Sequence, residues 1–118
     1  MYSVKVELHF SSAHKLRGYK GKCESLHGHN WKIVAVAESG KLNKLGMVMD
    51  FHDLKNHLRA ILDKLDHKYL NSVPYFKKVN PTSENISRYI YDILKRKASG
   101  LKSITVWESH NSSATYRE

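Results

Sequence analysis

The chain has little that could hold it together covalently or place it in a bilayer. Its single cysteine, Cys23, cannot close an intrachain disulfide. The fold must therefore rest on a packed core, and a reducing, cytoplasmic setting is expected. No apolar run approaches the roughly 20 residues needed to span a membrane, so no membrane partner is expected. Residues 1–6 begin a strand at once, without a basic stretch followed by an apolar block, so no secretory leader is expected. Repeats, low-complexity tracts and linkers are also missing.

Acidic residues are the remaining shortage. Eleven Asp and Glu face twenty Lys and Arg, giving a net charge of +9. Such a balance draws phosphates, on nucleic acid or on a small polyanion. Lys15, Arg17, Lys20 and Lys22 crowd one segment, Lys77, Lys78 and Arg88 form a second group, and Lys95, Arg96 and Lys97 a third. Each also reads as an ordinary solvated surface. The aromatic–basic interleaving of single-strand binders does not accompany them, so nucleic acid is not the expected partner.

What is present reads as one domain over 1–118 with the order strand, strand, helix, helix, strand, strand. Tyr2, Val4, Val6, Leu8 and Phe10 alternate with polar residues, predicting a half-buried strand over 2–10. A loop over 11–26 follows. A strand over 27–38 puts Trp31, Ile33, Ala35 and Ala37 on one face, and residues 47–49 form a short extended piece. Asp50 is a predicted N-cap for a helix over 51–65, whose apolar stripe is Phe51, Leu54, Leu58, Ile61 and Leu65. Residues 66–80 read as loop. Thr82 or Ser83 caps a second helix with Ile86, Ile90, Ile93 and Leu94 buried, ended by Gly100. Strands over 101–109 and 112–118 complete an α+β sandwich, a four-stranded antiparallel sheet with two helices on one face. Two open sheet edges predict a homo-oligomer.

The chemistry concentrates in Cys23-Glu24-Ser25-Leu26-His27-Gly28-His29. On a strand, residues i and i+2 share a face, so His27 and His29 aim two imidazoles at one point, with Gly28 expected to keep the space clear. His14, just past the first predicted strand, supplies a third. Three imidazoles form the ligand set of a catalytic zinc with one position open; iron, nickel or copper fit the same spacing. Cys23 is a fourth ligand, an inert buried thiol or a reactive thiolate. Asp66-His67 reads either as a carboxylate–imidazole proton relay or as a helix end whose cation complements the dipole. Glu108 shares a strand face with Ile104 and Val106. A carboxylate there needs partners, and a guanidine-like ligand edge would supply two charge-assisted bonds.

Together these residues resemble the 6-pyruvoyltetrahydropterin synthase / 6-carboxytetrahydropterin synthase family. The resemblance is carried by Phe10-Ser11-Ser12-Ala13-His14, the Cys23–His29 segment, Asp50-Phe51, Leu65-Asp66-His67 with Leu70-Asn71, Pro81-Thr82-Ser83-Glu84-Asn85, and Glu108. It implies a tunnelling fold, assembled as a hexamer of two stacked trimers with active sites between subunits. It also implies zinc on His14, His27 and His29, Cys23 as proton acceptor, and Asp66 and His67 as its relay. Glu108 would anchor the pterin edge, and Thr82, Ser83 and Glu84 would line the pterin pocket. The implied substrate is 7,8-dihydroneopterin triphosphate, its phosphates held by the Lys15–Lys22 segment. The implied bacterial-type products are 6-carboxy-5,6,7,8-tetrahydropterin, acetaldehyde and triphosphate, on the route to queuosine. The rival products are a 6-pyruvoyl pterin and, because Glu24 adjoins Cys23, the folate-pathway 6-hydroxymethyl-dihydropterin. A non-enzymatic zinc or nucleic-acid-binding protein is the rival from another class.

Overall fold

The computed structural model describes residues 1–18 and 25–118. Four strands, β1 (Tyr2–His14), β2 (His27–Ser39), β3 (Leu101–Ser109) and β4 (Ser112–Arg117), pair antiparallel in the order β1-β2-β3-β4. Between β2 and β3 run α1 (Phe51–Leu62), a 3-10 turn (Leu70–Ser72), a short α2 (Pro74–Lys78) and α3 (Ser83–Lys95).

Alternation along the strands decides what is buried. Val6 and Phe10 of β1, Trp31, Ile33, Ala35 and Ala37 of β2, and Ile104 and Val106 of β3 share one face and form the core with α1 and α3. From the helices come Leu54, Leu58, Ile61 and Leu62, then Ile86, Ile90, Tyr91 and Leu94, all buried. Asp50 caps α1, its Oδ1 accepting from the His52 backbone N–H at 2.7 Å. Thr82 caps α3, its Oγ1 accepting from the Asn85 N–H at 3.1 Å.

The structure departs from the sequence reading in several places. β1 runs on through Ser11–His14 because those residues pair with His27–Asn30 of β2; pairing with a partner strand overrides a locally polar sequence. The first helix ends at Leu62, since the chain tightens into i→i+3 bonds from Lys64 to Ile61 and from Leu65 to Leu62. Phe51 stands 55% exposed rather than in the core stripe. The predicted loop over 66–80 contains the 3-10 turn and α2, the latter started by Pro74 at the first helical position. Met47 has no regular structure, and Val48 and Met49 form bends rather than an extended piece. Among the described residues, no helix is long and apolar enough to cross a membrane.

Candidate metal centre

The core face of the sheet becomes polar at one end. Ser12 lies opposite His29 and His14 opposite His27, one and two steps beyond the Phe10–Trp31 pair. Glu108 arrives from β3 at a bulge. Trp107 pairs with Ser113 but Ser109 with Ser112, so Glu108 is an extra residue that the ladder does not use. A bulge of this kind re-aims one side chain. The result is a group of His14, His27, His29 and Glu108 whose ligand atoms all lie within 4.8 Å of one another.

Hydrogen bonds around the group set the tautomers. His14 Nδ1 donates to the Pro81 carbonyl at 2.8 Å, and His27 Nδ1 donates to the Ser25 carbonyl at 2.6 Å. A neutral ring whose Nδ1 carries the proton has a bare lone pair on Nε2. Yet the two Nε2 atoms face each other at 3.0 Å. His29 Nε2 is buried with no hydrogen-bond partner, and it lies 3.6 Å from one Glu108 oxygen, while His14 Nε2 lies 3.8 Å from the other. One shared proton would reconcile the facing His14 and His27 atoms but would leave His29 Nε2 without a partner. A cation at the centre would satisfy all of them, so the donor set fits a divalent metal ion. Burial pushes the His14 and His29 imidazoles below their ordinary value, with Glu108 partly opposing. This favours the neutral, metal-binding form.

The rings are locked from beneath by Trp31, which is fully buried. It meets His14 and His29 edge-on, with centroids 4.9 and 5.2 Å apart, and its Nε1 donates to the Ser12 carbonyl at 3.2 Å. Pro81 directly precedes the α3 cap, so the Pro81-Thr82-Ser83-Glu84 segment is tied to the cluster through His14. Thr82 is occupied as the cap, Ser83 is half-buried, and Glu84 is exposed.

Asp66 and His67 lie elsewhere on the surface of the same end. The segment 65–69 runs along the free edge of β1. Asp66 Oδ1 accepts from the Ser11 N–H at 2.9 Å, the His67 N–H donates to the Ser11 carbonyl at 2.6 Å, and the Ala13 N–H donates to the Lys68 carbonyl at 3.2 Å. His67 holds φ of 55°, the one non-glycine with positive φ among the described residues. This is the left-handed region, which few side-chain-bearing residues adopt and histidine adopts more readily than most. Asp66 Oδ1 lies 3.1 Å from His67 Nδ1, and the Ser11 N–H, with His67 assisting, holds the carboxyl below the usual carboxylate range. The helix-dipole explanation does not fit, because α1 ends five positions before His67. His67 and Lys68 border an open hollow of about 470 Å³ with Ser11, Ser12, Ala13, Gly28, His29 and Asn30. By alternation Ser11, Ala13, Gly28 and Asn30 belong to the face opposite the histidine cluster, whereas Ser12 and His29 belong to the cluster's own face.

Gly28 accordingly points away from the space between His27 and His29. A Cβ there would meet only the Ser12 carbonyl at 3.9 Å, an ordinary contact, so the expected clearing role is not the reason for glycine. Cys23, Glu24, Lys20 and Lys22 fall outside the described residues. Arg17, expected to help hold phosphates, donates its guanidinium to the carbonyls of Phe76 and Val79 at 2.6 and 2.9 Å. Part of the basic segment thus serves to pin the chain after β1.

A family model described as 6-pyruvoyl tetrahydropterin synthase matches residues 3–118. The chain belongs to the 6-pyruvoyl tetrahydropterin synthase family. A 6-carboxy-5,6,7,8-tetrahydropterin synthase of Haemophilus influenzae is 35% identical, covering all of both chains. The 6-pyruvoyl tetrahydrobiopterin synthase of Homo sapiens is 39% identical, covering 82% of this chain and 71% of that protein. The solved structure of Caenorhabditis elegans 6-pyruvoyl tetrahydropterin synthase superposes with a TM-score of 0.90 at 30% identity, covering 99% of this chain and 95% of that one. The four-stranded antiparallel sheet with its helices is the family's tunnelling fold.

Within this family fold, two features escaped the sequence reading. Glu108 was expected at a ligand edge, not beside the imidazoles; its shared parity with Ile104 and Val106 carried the face but not the bulge. Trp31 was read as core alone, although it sits two residues after His29 on the same face.

Proposed function

We propose that this protein is a zinc-dependent enzyme that converts 7,8-dihydroneopterin triphosphate and water into 6-carboxy-5,6,7,8-tetrahydropterin, acetaldehyde and triphosphate. This makes it a carbon–carbon lyase feeding 7-deazapurine (queuosine) synthesis in the cytoplasm. The observation that carries the reading is the convergence of three imidazole Nε2 atoms and one carboxylate on a single point. Relatives named for the 6-carboxy product support this choice of reaction. They are 35%, 40% and 38% identical and span at least 97% of this chain and at least 93% of their own lengths.

His14, His27 and His29 would hold the ion. Bound there, zinc supplies Lewis-acid polarisation of the substrate's side-chain hydroxyls and carbonyl, which lowers the cost of removing a neighbouring proton. Cys23 accepts that proton as a thiolate. Asp66 orients His67, and His67 carries the proton onward. Asp66 and His67 lie at the free edge of β1, beside a hollow that His29 also borders, and their relay would serve sites between subunits of a homo-oligomer, a dimer of trimers. Glu108 accepts two hydrogen bonds from the pterin's amino and N3 edge, and Thr82, Ser83 and Glu84 line the pocket.

A second reading keeps the same site and changes the product. Relatives named for the 6-pyruvoyl product are as similar, at 39% and 35% identity, and Glu24 beside Cys23 permits a 6-hydroxymethyl product. Incubation of the zinc-loaded protein with dihydroneopterin triphosphate, followed by mass spectrometry of every product, tests the assignment. Acetaldehyde in equal amount to a 6-carboxy pterin is the expected result. A retained three-carbon chain, or a hydroxymethyl pterin, would replace it.

A further inference from the structure

We propose that the hollow on the sheet face away from the helices, bounded by His9, Asn30, Lys32, Trp107, Ser109 and His110, binds a free inorganic phosphate chain, separately from the metal centre. The site does not depend on the reaction proposed above, although that reaction releases such a chain.

Strand register builds the hollow. His9 of β1 lies directly opposite Lys32 of β2, and Lys32 directly opposite Trp107 of β3, so the three side chains form one row across three strands. By alternation this row lies on the face opposite Phe10, Trp31 and Val106, and side chains so paired interact. The Lys32 ammonium sits over the Trp107 ring, 4.9 Å from its centroid. The indole holds the ammonium in place and keeps water from one side of it, which strengthens its field. The bulge that turns Glu108 toward the imidazoles leaves Trp107 and Ser109 at this hollow, with His110 beyond them in the β3–β4 turn.

The lining groups decide what the hollow takes. No carboxylate is among them. Glu7 is two residues from His9 on the same face, yet Lys32 has no salt-bridge partner among the described residues. Asn30 Oδ1 accepts from Ser11 Oγ at 2.7 Å, which leaves its amide nitrogen as the free group. Each imidazole presents an N–H in either protonation state. An ammonium without a carboxylate, surrounded by donors, is complemented by an anion that only accepts. The volume is about 330 Å³, the space of about ten waters, which suits linked phosphates better than one ion. Asn30 also borders the hollow beside His67 and Lys68, so a longer chain meets a further cation there.

Calorimetric titration of inorganic triphosphate into the intact oligomer tests the site, with zinc loaded and with metal stripped, at constant ionic strength. The proteins compared are wild type, Lys32→Gln, Trp107→Phe and Lys55→Gln, the last removing a charge from an exposed position on α1. Expected are binding that survives removal of zinc, an affinity at least about tenfold weaker in Lys32→Gln, and no change in Lys55→Gln. Tryptophan emission should change on binding in wild type and not in Trp107→Phe. No binding would overturn the proposal. So would equal losses in both lysine variants, which would show diffuse attraction to the net charge of +9, and so would binding only with zinc present, which would put the anion at the metal centre. Turnover of dihydroneopterin triphosphate separates a free chain from the substrate's own tail. KM should be unchanged in Lys32→Gln; a KM raised in step with the weakened triphosphate binding would assign the hollow to the substrate and overturn the free-chain site. Absence of turnover in wild type would overturn the proposed reaction and leave the calorimetry to decide the site.

Discussion

Stripping the protein of metal and restoring zinc tests the lone-pair argument at the level of stability. His14 and His27 point bare Nε2 atoms at each other at 3.0 Å, and His29 Nε2 is buried and unpartnered. On the proposed reading, the folded chain binds zinc and the unfolded chain does so far more weakly. Free metal at 100 times its dissociation constant stabilises by about 2.7 kcal/mol. For 118 residues, unfolding entropy of about 2.1 cal/mol/K per residue totals about 0.25 kcal/mol/K, so Tm should rise by about 11 °C. The assay is thermal unfolding by circular dichroism after dialysis against a chelator, at one fixed protein concentration because an oligomer's Tm depends on it. His27→Ala removes one donor and relieves the facing pair, so its zinc-dependent rise should shrink to a degree or two. A wild-type protein with no rise would refute the reasoning. So would an equal rise in His27→Ala, which would place the metal elsewhere.

Other expectations follow from single contacts. Cys23→Ala should keep zinc near one per chain by elemental analysis while turnover falls about 10²–10⁴-fold; loss of the metal with the thiol would show a closed four-ligand site instead. In metal-free protein, His14 and His29 have folded pKa values held below 6.5 by burial. The unfolded chain then binds more protons, so stability is present above pH 6.5 and is lost as pH falls toward the folded values, read from Tm across that range. Thr82→Ala removes the α3 cap and should cost about 1 kcal/mol in urea unfolding. Burial, then the acceptor Glu118 at 2.9 Å, pushes the Tyr91 phenol up to about 12. Its contribution is therefore present below pH 10 and lost between 10 and 12, and Tyr91→Phe should delete that late step from the absorbance titration at 295 nm.

How far the sequence carried can be judged residue by residue. Strict alternation located β2 and the face it buries, because Trp31, Ile33, Ala35 and Ala37 leave no other register, and it placed His27 and His29 on that same face. Capping chemistry located both long helices, at Asp50 and at Thr82 or Ser83, of which the structure uses Thr82. The end of β1 was illegible because Ser11–His14 become a strand through pairing with Asn30–His27, contacts 13 to 19 residues distant that no local pattern encodes. The misreading of Gly28 has a similar origin: the spacing that brings His27 and His29 to one face sends the residue between them to the other. The bulge at Glu108 depends on how β4 pairs across the Ser109–Ser112 turn. That is why a carboxylate legible as unusual was not legible as a neighbour of the imidazoles.

The same face that makes the core also makes the site, and this has an energetic consequence. Phe10 and Trp31 stack at 6.0 Å, and one step further along both strands the side chains become Ser12, His14, His27 and His29. The imidazoles thus inherit the rigidity of close-packed neighbours at the point where their lone pairs oppose one another. Left without a cation, such an arrangement destabilises the fold, and a softer setting would relax by turning the rings apart. Here Trp31 beneath and the Pro81 and Ser25 carbonyls behind prevent that relaxation. The same rigidity gives the cluster a use: a cation placed among these atoms would find its donors already assembled, without reorganisation.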